Sequence, residues 1–65
     1  YEEAEKVLEK ALSIEPNFGP AWNNMAIIHA GRANWTEAKD DLDKAEASGY
    51  EVAADLRAEI EANLG

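Results

Sequence analysis

The chain has 65 residues, no cysteine, and 14 acidic against 6 basic side chains, for a net charge of −8 at pH 7. A chain this short forms one small domain that buries only about 60% of its unfolded surface, and no disulfide or cysteine metal site can staple it. The acidic balance argues against nucleic acid, which needs clustered Lys and Arg, and against an anionic membrane surface. No apolar run approaches the ~20 residues of a membrane span.

Ala, Glu, Lys and Leu dominate and apolar residues recur at three and four, so the chain reads as all-helical. The first helix is expected from Glu2 to Glu15, with Ala4, Val7, Leu8, Ala11, Leu12 and Ile14 facing inward. Pro16 ends it, because proline disfavours helix at the residue before it. The second opens near Gly19-Pro20, where the missing proline N–H costs nothing, and runs to about Gly31. No charged side chain lies between Glu15 and Arg32, so this helix should be buried on most sides. The third opens at Asn34-Trp35-Thr36-Glu37, a capping-box pattern with Asn at its head, and turns Trp35, Ala38, Leu42 and Ala45 inward. Gly49 can take the left-handed conformation that closes it. The fourth, from about Glu51 to Asn63, aligns Val52, Leu56, Ile60 and Leu64 on one stripe with a polar back, as a terminal cap needs.

Two stretches repeat at a spacing of 34 residues. Tyr1-Glu2-Glu3-Ala4 answers Trp35-Thr36-Glu37-Ala38, and Leu8-Glu9-Lys10-Ala11 answers Leu42-Asp43-Lys44-Ala45. A fixed period of this size signals units that bury their apolar faces by stacking. Residues 22–45 resemble the tetratricopeptide repeat: Trp22, Met25, Ala26 and His29 hold the W-x2-L-G-x2-Y places, and Ala38 and Leu42, followed by Ala45, hold A-x3-F. Ala4, Leu8, Ala11 and Pro16 fit the second half of a preceding unit. In this register Ala26 and Ala38 let paired helices cross closely, Trp22 and Leu42 fill the space between them, and Pro16 fixes the turn. The resemblance implies an all-α fold of antiparallel helix-turn-helix repeats, an α-solenoid of about four helices. Residues 1–16 would be the second half of one repeat, 17–49 a near-complete repeat and 50–65 a capping helix. Because Tyr1 falls inside a repeat, the chain reads as the C-terminal piece of a longer array. The register departs at Ser48 and Tyr50, and fails where it puts Glu59 and Asn63 at apolar places.

The residues offer no catalytic set. His29 is the only histidine and reads as a packed structural residue. No ligand cluster supports zinc. Asp40, Asp41 and Asp43 lack the glycine and terminal Glu of a calcium loop, and two of the three should face solvent. The expectation is therefore no enzyme, no metal and no cofactor. In tetratricopeptide arrays the first helix of each pair lines a concave groove, so the resemblance implies protein–protein binding of a peptide or helix there. Carried over by position, the groove would show Pro20, Asn23, Asn24, Ile27 and Ala30. With no Lys or Arg on this helix, the charge clamp of some family members is not carried over. Ile27 would be either a pocket wall for a partner's side chain or covered by the adjoining helix. The rival reading is self-association through the flank of the first helix near Val7, Leu12 and Ile14.

Overall fold

A computed structural model describes residues 2–65; the Tyr1 end of the repeat lies outside the described residues. These residues form four α-helices: α1 (Glu2–Ile14), α2 (Gly19–Gly31), α3 (Trp35–Ala47) and α4 (Ala54–Leu64). Each packs against the next in sequence. The contacts show successive helices to be antiparallel. Glu5, early in α1, meets Arg32 just past the end of α2. Lys44, late in α3, sits over the ring of Trp22, early in α2, 4.5 Å from its centroid. Arg57, early in α4, pairs with Asp43 and Glu46, late in α3.

The core is built from small residues that let helices approach and two aliphatics that fill the gap. Ala26, Ala38, Leu42 and Ile60 are fully buried in one cluster, edged by Ala30, Trp35, Val52 and Leu56. Ala45 is also fully buried, and Met25 and Ile28 nearly so. The uncharged α2 packs between α1 and α3, and α3 in turn between α2 and α4, while Pro20, Asn24 and Ile27 of α2 stay exposed, so α2 is covered on fewer sides than its composition suggests. Trp22 lies away from this cluster rather than filling it. Its indole Nε1 donates to the Pro16 carbonyl at 2.7 Å, so it ties the α1–α2 loop to the start of α2.

The structure departs from the sequence expectation in three further places, two at helix starts and one on a helix face. The α3 start carries no side-chain cap: Asn34 occupies the N-cap position but makes no side-chain bond to the helix, so the capping box does not form. Asn34 instead serves the preceding helix. Its backbone N–H donates to the His29 carbonyl at 2.8 Å while Ala33 takes φ 60°, the left-handed closure usually given to glycine. Gly49, at φ 95°, does the same for α3, where the Tyr50 N–H reaches the Ala45 carbonyl at 3.1 Å. The fourth helix begins at Ala54, not Glu51. Val52 reaches the core cluster from the non-helical segment before it, so apolar contact and not helical register places it.

The third departure concerns α1. None of its residues is fully buried. Leu8, Ala11 and Leu12 are half-buried, but Ala4, Val7 and Ile14, expected to face inward, are exposed. One neighbour, α2, covers one side of the helix, and its apolar stripe is wider than that side. Ser48 and Tyr50, the departures from the repeat, also find their reason in packing. They press on the start of α2 at Gly19: a Cβ built there would lie 2.5 Å from Ser48 Oγ and overlap Tyr50 Cβ.

Candidate functional site: an apolar cleft between α1 and α2

The exposed part of the α1 stripe faces a cleft of about 450 Å³, lined by Ala4, Val7 and Leu8 of α1 and Asn24, Ile27 and Ile28 of α2. Helical spacing explains the set. Ala4, Val7 and Leu8 are three and four apart on α1, and Asn24, Ile27 and Ile28 repeat that spacing on α2. Among the described residues, no charged side chain lines the cleft. Val7 is 67% exposed and Ile27 47% exposed, so two aliphatic side chains stand in solvent at the cleft's edge. Removing such a side chain from water is worth about 1.5–3 kcal/mol.

Of the expected groove residues, this cleft brings together Asn24 and Ile27. Ile27 is not covered by a neighbouring helix. Pro20 is exposed at the first turn of α2, outside the cleft. Ala30 packs against the core cluster, so its contacts are internal. Asn23 is half-buried, and its side-chain oxygen is enclosed without a hydrogen-bond partner. The α1 half of the cleft, Ala4, Val7 and Leu8, is absent from the groove expectation because those residues read as core. The signal lay in the repeat itself. Val7 falls at the place of Asp41, and an aliphatic and a carboxylate cannot share one environment.

Beside the cleft, a polar cluster ties three helices together. His29 Nδ1 and Asp41 Oδ2 are 2.5 Å apart. On the other side of the ring, His29 Nε2 lies 3.6 Å from Glu5 Oε2, and Arg32 donates to Glu5 Oε1 at 2.7 Å. Asp41 is buried, unlike Asp40 and Asp43, which face solvent. Burial pushes its carboxyl above the ordinary range, and the hydrogen bond and charge of His29 offset part of that rise. His29 is thus largely buried, with polar partners in α1 and α3. The cluster holds no serine or threonine nucleophile. Among the described residues no three metal-ligating side chains converge, and no helix is long and apolar enough to cross a membrane.

No family model, curated protein or solved structure matches the chain. Its residues and geometry define an all-α domain of four antiparallel helices with an uncharged cleft on one side.

Proposed function

We propose that this chain is a protein–protein interaction module of the tetratricopeptide kind, part of a helical repeat array that receives a peptide or helix of a partner protein. The observation that carries this reading is the pair Val7 and Ile27, exposed on facing helices across a cleft without charge. Isolated apolar residues on a surface are ordinary, but these two face each other across a cleft, which offers a partner's apolar side chain a wall on either side. The 34-residue echo supports the stacking of units, and the small residues buried at the α2–α3 crossing support the helix-pair geometry that the resemblance implies. Residues 1–16, 17–49 and 50–65 serve in this reading as half a repeat, a repeat and a cap. Affinity comes from shape and apolar area, with Asn24 supplying a polar contact, and no bond is made or broken.

The test compares proteins captured by the wild-type chain with those captured by Ile27→Asp. Partners retained by the wild type and lost with Ile27→Asp, at unchanged helicity, support the reading; identical capture refutes it. Self-association is the second reading, favoured by Val7 and by Ile14, which is 72% exposed. Sedimentation over a concentration series separates the two, since a constant monomer excludes self-association.

A further inference from the structure

His29 holds the place that the tetratricopeptide pattern gives to tyrosine. A tyrosine ring there would stay neutral at any ordinary pH, whereas an imidazole gains and loses a proton within the physiological range. Both nitrogens of this ring face carboxylate oxygens on other helices. Nδ1 lies 2.5 Å from Asp41 Oδ2 on α3, and Nε2 lies 3.6 Å from Glu5 Oε2 on α1. A neutral imidazole carries one N–H and can donate to one of the two. Asp41, the closer and more buried partner, takes it. The Nε2 lone pair then points at the Glu5 carboxylate, which repels it. An imidazolium carries an N–H on each nitrogen and satisfies both carboxylates at once.

The charges around the ring point the same way. Glu5 comes from α1, Asp41 from α3, and Arg32, just past α2, donates to Glu5 Oε1 at 2.7 Å. Asp40 and Lys44 act on Asp41 with opposite signs, and Arg57 of α4 is taken up by Asp43, Glu46 and Glu61. Two carboxylates against one guanidinium leave a negative charge beside a neutral ring, and an imidazolium cancels it. The proton matters most at α1. Buried Ala26, Ala38 and Leu42 join α2 to α3, whereas no residue of α1 is buried. A polar tie therefore carries a larger share of the α1–α2 seam than of the α2–α3 crossing. We propose that His29 is a pH-sensitive latch: with its second proton it ties α1 to the α2–α3 pair through Glu5, and without that proton the tie to Glu5 is lost while the one to Asp41 stays. The latch is closed at low pH and opens as rising pH removes the ring's second proton.

Amide hydrogen exchange of the intact chain tests this at about pH 5.5 and about pH 8, on either side of the ordinary histidine value. Protection factors remove the intrinsic effect of pH on exchange. From the lower to the higher pH, the α1 amides should lose about threefold in protection relative to those of α2 and α3, the size of a partly exposed ion pair. A Glu5→Gln chain, altered outside the core cluster, should show no such change. The glutamine oxygen accepts from the imidazolium and its nitrogen donates to the neutral ring, so it pairs with both forms. Equal α1 protection of the wild type at the two pH values overturns the latch. So does a loss that persists in Glu5→Gln, or one that spreads equally over α2 and α3, which would place the effect in global stability and not at the seam.

Discussion

Gly19→Ala is the sharpest perturbation of this fold, because two ordinary expectations for it point to greater stability. Alanine is favoured over glycine within a helix by ~1 kcal/mol, and it narrows the unfolded ensemble, worth about 0.4–1 kcal/mol where the backbone tolerates it. The two are overlapping views of one gain, so together they supply about 1 kcal/mol at most. Against this stands the space around Gly19. An added Cβ lies 2.5 Å from Ser48 Oγ, 3.1 Å from Tyr50 Cγ and in overlap with Tyr50 Cβ. The Ser48 hydroxyl can rotate away only by giving up its 2.6 Å bond to the Ala45 carbonyl. Tyr50 Cβ is fixed to the backbone, so relief requires the 48–50 segment to move. That segment also contains Gly49, whose left-handed conformation closes α3. Overpacking costs about 1–3 kcal/mol, and an overlap with an atom fixed to the backbone falls in the upper part of that range, about 2–3 kcal/mol. The net expectation is a loss of about 1–2 kcal/mol, or roughly 4–16 °C in Tm for a domain of this size. Thermal unfolding followed by circular dichroism measures it. A double-mutant cycle with Tyr50→Gly should show Gly19→Ala to be much less harmful once the Tyr50 Cβ is gone. A Gly19→Ala chain as stable as wild type would refute the close packing of the α2 start on the 48–50 segment.

The two left-handed closures make opposite predictions. Gly49→Ala should cost about 1 kcal/mol, purely from backbone strain because a Cβ there meets nothing, whereas Ala33→Gly should be neutral or stabilising by up to about 1 kcal/mol; urea midpoints compare them. Asp41 sets a pH dependence. Its folded pKa lies above 3.8 through burial, so the folded state binds the proton more tightly. The stability it contributes is fully present below the unfolded value and is lost as pH rises through the folded one. Wild type should therefore lose stability relative to Asp41→Asn as pH rises through that window, and a relative gain would show that burial does not dominate. Arg57, which pairs with Asp43, Glu46 and Glu61, sits at the surface. Its replacement by Gln should cost no more than about 1 kcal/mol and less in 1 M salt, as denaturation at two ionic strengths would show.

The four helices were legible from the sequence because their causes are local. Apolar spacing of three and four, Pro16 and Pro20 at the α1–α2 junction and Gly49 after α3 act within one turn of the chain. The small residues of the crossing were legible as well, since Ala26 and Ala38 hold two small-residue places of the pattern that the chain resembles. The Asn34 cap was misread because the same residue can serve the helix before it or the helix after it, and sequence does not rank the two. The start of α4 was misplaced because Val52 satisfies its stripe equally well from an extended segment.

Local periodicity therefore determined which residues form helices, which faces are apolar and where the chain turns. Which apolar faces are covered was decided only by tertiary structure, because coverage depends on how many neighbours a helix has. The same Ala-x3-Leu-x2-Ala pattern is fully buried in α3, between two helices, and open in α1, beside one. Tertiary packing also paired His29 with Asp41 and left Val7, at the equivalent place, in the wall of the cleft. Sequence spacing states that two residues occupy the same position in a unit, and only the neighbouring helices state what each one faces.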